Sequence, residues 1–187
     1  MLFYVKRFLS LEIVVTFLLG TLGYWGIRRY SLPLQLHASP RVIAWGLAGS
    51  IWLALWTLLV QGGYAIVKGK DYARDLTASL ARVYTNAGAT QIIFGGITAA
   101  CGEELFFRGF LQQTLGLLPA SILFMVAHFG KKDIRVVSFW SVFQGLYIGL
   151  FFFWSKNLVV PMIAHGLFDL GGMIYFRSFM ARLESAT

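Results

Sequence analysis

Gly88 to Leu118 reads GATQIIFGGITAACGEELFFRGFLQQTLGLL, and the fold turns on how that stretch is read. From Gly88 to Gly102 no residue is charged; then come Glu103, Glu104 and, four residues on, Arg108. A run of this length and apolarity can cross the ~30 Å hydrocarbon core of a bilayer as a helix. Ionisable side chains at such depth cost roughly 3 kcal/mol each on insertion scales, so they usually mark function. At i and i+4, Glu104 and Arg108 share a helix face and can pair. Glu103 points about 100° away and needs another partner. One acid is explained by its neighbour, and the other is not.

Composition extends the membrane reading to the whole chain. Of 187 residues, 58% are hydrophobic and 17% aromatic, while only 13% are charged. A soluble domain carries about a quarter charged residues. The fold expected is therefore all-α, a polytopic helical membrane protein of about six transmembrane helices. It forms a single domain over 1–187, with its active site in an intramembrane cavity and a motif core at about 88–176. The net charge of +8 does not point to nucleic acid. Its basic residues flank hydrophobic segments, as topology signals do, and form no interleaved stripe. The single cysteine, Cys101, excludes an internal disulfide and a cysteine-based metal cluster, and reads as a small helix-packing residue.

In order along the chain, Lys6 and Arg7 precede an apolar run to about Ile27, read as a retained first helix with Glu12 near its interface. A short link follows, holding Pro33, His37 and Pro40, with His37 read as a loop histidine. The second helix, about 42–67, carries Trp45, Trp52 and Trp56 as an aromatic stripe of packing or interface anchors. In 68–87, Tyr72, Leu76, Leu80 and Val83 recur at helical spacing, predicting an amphipathic helix on the membrane surface. The third spanning helix runs from about Gly88 to Phe110, and Gly116 and Pro119 mark the turn after it. A short helix to Phe129 follows, then a charged loop with Lys131, Lys132, Asp133 and Arg135. Further helices are expected over about 136–154 and 158–176, with a polar tail after them.

Six crossings with the N-terminus inside place eleven basic residues on the cytoplasmic side and four opposite, so both termini are expected in the cytoplasm. In that topology Glu103 lies about seven residues below the outer end of its helix, roughly 10 Å deep at 1.5 Å per residue. His128 lies about nine residues below Pro119 and His165 about eight below Asn157, so the three converge near mid-membrane. His165 and Asp169, at i and i+4, share a face on which a carboxylate can orient an imidazole. Such a set suits water activation, with a glutamate base, histidines that share protons or steady an oxyanion, and an arginine locking the second glutamate.

EELFFR at 103–108, FMVAH at 124–128 and HGLFD at 165–169 resemble, in order, the three motifs of the CAAX-protease and bacteriocin-processing family. These are intramembrane glutamic-type endopeptidases related to the type II CAAX prenyl proteases. The resemblance implies Glu103 as the base that activates water, His128 assisting it, and Glu104 partnering Arg108. It implies His165 and the residue four later as oxyanion stabilisers. That last position is most often asparagine, whereas here it is Asp169, which is expected to orient His165 or to stay neutral through burial. The activity implied is cleavage of a peptide or membrane-anchored protein substrate in a bacterial or archaeal cytoplasmic membrane, without a cofactor and without nucleic acid.

Three other readings compete. Glu103, His128 and His165 are a candidate zinc set, with water in the fourth position, although HExxH is absent. A proton-coupled transporter also uses intramembrane acids and histidines, but no repeated halves are seen. A non-catalytic immunity or scaffold protein could keep the motifs. Taken singly, each residue could simply join helices through a buried polar network; their convergence at one depth argues otherwise.

Overall fold

The structure, a computed structural model, describes the backbone over 2–81, 88–128 and 135–185. Side-chain surroundings are described for 13–63, 65–79, 81, 88–128, 141–183 and 185. Every described element is helical. Helix α1 (Leu2–Arg29) is followed by α2 (Pro40–Lys68) and the short α3 (Lys70–Ala81). Helix α4 (Ala89–Glu104) runs on through a π-helical segment (Leu105–Leu111) into a last α-turn, α5 (Gln112–Leu115). Then come α6 (Leu117–Ala127), α7 (Arg135–Ser155) and α8 (Val159–Ser185).

Local chemistry sets several boundaries. The Ser39 hydroxyl accepts a hydrogen bond from the Val42 N–H at 3.3 Å and Pro40 opens α2, an arrangement that satisfies orphan donors at a helix start. Gly69 (φ +94°) breaks the chain between α2 and α3, and Gly116 (φ +91°) between α5 and α6, in backbone regions that favour glycine. The Asn157 side chain caps α8 by accepting from the Val159 N–H at 3.0 Å.

Helix α4 packs between α1 and α8, while the π-helical segment also meets α1 and α6. Small residues permit these crossings. A Cβ at Gly20 would come 3.2 Å from the Gly102 Cα, and one at Gly23 would come 2.6 Å from the Leu105 carbonyl carbon. On the α8 side, a Cβ at Gly166 would lie 3.1 Å from that of Ala100. Close approach of this kind is how helices associate where no hydrophobic drive separates protein from solvent. The predicted amphipathic helix is present as α3, and it docks on α8 and α2. Arg82 and Val83 lie outside the described residues, as do Lys131, Lys132 and Asp133 of the charged loop.

Polarity is reversed relative to a water-soluble domain. Phe17 is 74% and Ile66 86% exposed, whereas Glu104 is 0% and Arg108 and His165 each 2% exposed. Large apolar side chains facing out around charged groups facing in fit an apolar surround. Among the described residues, Pro40–Lys68 and Val159–Leu183 are long and apolar enough to cross a membrane, and Leu117–Ala127 and Ser141–Ser155 are shorter apolar helices.

Two expectations need correction. The third predicted helix does not end near Phe110 but continues through the π-helical segment to Leu115. The last helix does not give way to a tail after Phe176; it runs to Ser185. Arg177 and Arg182 ended the apolar pattern without ending the helix, because arginine is a good helix former.

Candidate active site

The acidic pair sits where α4 changes winding. Glu104 is the last α-helical residue before the π-helical segment, and Arg108 lies within that segment. Its far end is fixed by the Gln112 N–H, which reaches back five residues to the Phe107 carbonyl. Such segments often occur at functional sites. The widened turn still brings Arg108 Nη1 to 2.8 Å from Glu104 Oε1, as the i, i+4 spacing predicts. Arg108 Nη2 donates to the Gly145 carbonyl of α7 at 3.1 Å, and the guanidinium carbon stands 4.6 Å over the Phe124 ring.

The same carboxylate oxygen has a second partner. Glu104 Oε1 lies 2.7 Å from His165 Nδ1, joining α4 to α8 across 61 positions of sequence. The other ring nitrogen, Nε2, lies 3.2 Å from Asp169 Oδ2. His165 is thus bracketed by two carboxylates, and a neutral imidazole can donate to only one of them.

Glu103 points to a different neighbour. Its Oε2 stands 3.8 Å from His128 Nε2, while His128 Nδ1 lies 2.8 Å from the Phe124 carbonyl one turn back. At 3.8 Å the carboxylate and imidazole are close enough for charge interaction but too far apart for a direct hydrogen bond. Glu103 Oε2 and Glu104 Oε2 are both buried and have no hydrogen-bond partner among the described residues.

All six residues singled out in the sequence therefore fall into two adjoining groups, Glu103 with His128, and Arg108–Glu104–His165–Asp169 in series. Sequence reading missed Phe124 as their common support. Its ring stacks on His128 at 4.4 Å, meets His165 edge-on at 5.9 Å and lies beneath Arg108. The available signal was its place four residues before His128, on the same helix face.

The proposed zinc ligands are divided between the groups. Among the described residues no three His, Cys, Asp or Glu side chains gather to hold a metal ion. Both nitrogens of His165 already face carboxylates. His37 does more than occupy a loop. Its carbonyl accepts from Asn157 Nδ2 at 2.8 Å, and its Nδ1 lies 3.2 Å from the same nitrogen, fastening the α1–α2 link to the start of α8. Cys101 is exposed.

A cleft of about 570 Å³, lined by none of the six residues of the two groups, lies between the α1–α2 link and the ends of α5 and α7. Gln112 forms part of its wall.

Residues 85–171, which contain all three motifs, match the family described as type II CAAX prenyl endopeptidase Rce1-like. Among curated proteins the chain is similar to uncharacterized protein YpbD of Bacillus subtilis (strain 168), at 36% identity over 93 residues. That alignment covers 47% of this chain and 47% of YpbD, so the chain spans about half the length of the curated relative it matches. No solved structure matches it. Over its motif-bearing segment, residues 85–171, the chain is similar to the Rce1-like family of type II CAAX prenyl endopeptidases.

Proposed function

We propose that the protein is an intramembrane endopeptidase that hydrolyses a peptide bond in a membrane-associated peptide or protein tail, with Glu103 as the base that activates water. The observation that carries this reading is the separation of the two acids. Glu104 is held by Arg108 and His165, whereas Glu103 Oε2 is buried without a hydrogen-bond partner among the described residues and faces His128. A base must be within reach of the proton it takes and not already locked in an ion pair. Held between Glu103 Oε2 and His128 Nε2, a water would give its proton to Glu103 as its oxygen attacks the carbonyl carbon. The tetrahedral intermediate would then expel the amine as the C–N bond breaks, and the amine would leave with the proton carried by Glu103.

The remaining four residues would set the electrostatics. Arg108 fixes Glu104, Glu104 fixes the Nδ1 side of His165, and Asp169 orients the ring from Nε2. With both ring nitrogens facing these carboxylates, His165 would then act on the developing oxyanion as a preorganised dipole rather than as a direct donor. In this reading α1, α2, α4 with α5, α6, α7 and α8 make six crossings, both termini are cytoplasmic and α3 lies at the surface. Helix α6, only 11 residues long, would rely on its packing against α7.

The test is cleavage of membrane-anchored candidate peptides by the purified chain in lipid, comparing wild type with Glu103→Gln, each with and without a strong zinc chelator. Activity that survives chelation and vanishes in the variant supports the glutamate mechanism. Loss on chelation, restored by zinc, would replace it with a metal mechanism. Equal cleavage by both proteins would remove Glu103 from catalysis.

A further inference from the structure

We propose that Gln112 is a positioning residue that locks the π-helical segment onto α7 and so fixes Arg108 against Glu104. Gln112 is 8% exposed, and its Nε2 donates to the Gly149 carbonyl at 2.8 Å. One turn earlier, Arg108 Nη2 donates to the Gly145 carbonyl at 3.1 Å. Both bonds span 37 positions of sequence, so they are successive rungs of one ladder between the two helices. The acceptors are backbone carbonyls at glycines four residues apart, where an added side chain would crowd its neighbours. A Cβ at Gly145 would come 3.2 Å from Ser121, and one at Gly149 would meet the Leu117 side chain and come 2.7 Å from Gln112 Oε1.

The position of Gln112 in the chain gives this rung its leverage. It closes the π-helical segment, its own N–H bonding to Phe107, so a shift there changes the register of the turn that carries Arg108. Arg108 supports Glu104, and the same Glu104 oxygen meets His165. A buried amide in a mainly apolar bundle is costly unless paired, and here its donor end is spent on register rather than on any charged residue of the site. Its consequence for rate rests on the proposed peptidase reading; its consequence for Arg108 does not.

The test uses the full chain in lipid nanodiscs with ¹⁵N-labelled arginine, the Arg108 guanidinium signal being assigned by its loss in Arg108→Lys. In wild type, two hydrogen-bonded Nη groups should give slowly rotating, resolved signals. Gln112→Leu, close in size but without the donor, should collapse them. It should also lower the turnover number, by up to about 100-fold if Arg108 shifts by 1 Å, with KM little changed. In an Arg108→Lys background Gln112→Leu should add no further loss, because both act through one contact. If Gln112→Leu does not fold, Gly149→Ala attacks the same rung from α7 and should collapse the same signals. Unchanged Arg108 signals in the folded variant, or a rate loss fully additive with Arg108→Lys, would overturn the proposal. A collapsed signal without any cleavage by wild type would uphold the positioning role and count against the peptidase reading instead.

Discussion

His165 Nδ1 and Arg108 Nη1 converge on the same oxygen of Glu104, at 2.7 and 2.8 Å, in a position with no solvent exposure. Two partners on one buried carboxylate oxygen make Glu104 the joint between α4, α7 and α8, because Arg108 itself reaches α7. The two adjacent acids should therefore fail differently. Glu104→Gln leaves the Arg108 guanidinium buried without its counter-charge, a change that typically costs about 3–5 kcal/mol. Glu103→Gln disturbs no hydrogen bond of the described structure. Thermal unfolding in one detergent should show a large drop for Glu104→Gln and almost none for Glu103→Gln, while both abolish cleavage. Equal stability losses would mean that Glu103 is also a structural acid.

That difference could be read only in part from sequence. The Glu104–Arg108 and His165–Asp169 contacts follow from i, i+4 spacing on single helices, and both occur. Glu103 and His128 were brought together by counting residues from the turns, which works because helical rise converts sequence into depth. The Glu104–His165 contact was not legible in that way. Depth says that two residues share a level, but only the rotation of each helix about its axis says whether they face each other. That rotation is set by close crossings such as Gly20 on Gly102 and Gly166 on Ala100, whose partners no local pattern names. The π-helical segment escaped for a related reason, since its apolar sequence is equally good for an α-helix and its winding serves bonds to distant carbonyls.

The Gly102 crossing can be tested directly. A side chain there would drive into the Thr16 carbonyl of α1, and Gly102 immediately precedes Glu103. Gly102→Ala should destabilise the protein by about 1–3 kcal/mol through overpacking and reduce cleavage as well. Gly172→Ala is the control. Nothing lies within 4 Å of its added Cβ, so on a helix it should be neutral or stabilise by up to about 1 kcal/mol. Matched unfolding curves for the two variants would show that the α1–α4 crossing is looser than described.

Asn157 offers a test far from the acids. It is 1% exposed, caps Val159 with its oxygen and holds the His37 carbonyl with its amide. Asn157→Ala removes both and should cost about 2 kcal/mol, near the upper end for a lost cap because the His37 carbonyl also loses its donor. Limited proteolysis should then cut within the α1–α2 link, residues 30–39, faster than in wild type. Asn157→Asp retains the cap acceptor but not the amide donor, so it should keep part of the stability and still expose the link. If both variants resist protease as wild type does, the link is held by other contacts.

Asp169 separates orientation from charge. Its Oδ2 sits 3.2 Å from His165 Nε2, on the opposite side of the ring from Glu104. If its work is to hold the imidazole at the correct angle, Asp169→Asn keeps an acceptor oxygen at the same reach and should retain cleavage within about tenfold of wild type. Asp169→Leu removes the acceptor and should lose on the order of 100-fold or more, the scale on which positioned proton-transfer groups act. The fold should tolerate both, since Asp169 is 24% exposed and is not the residue that compensates Arg108. The decisive comparison is between the two variants at matched unfolding temperatures. A drop of equal size in both would mean that the carboxylate charge itself is required, and that His165 acts in catalysis only while paired with an anion on each side.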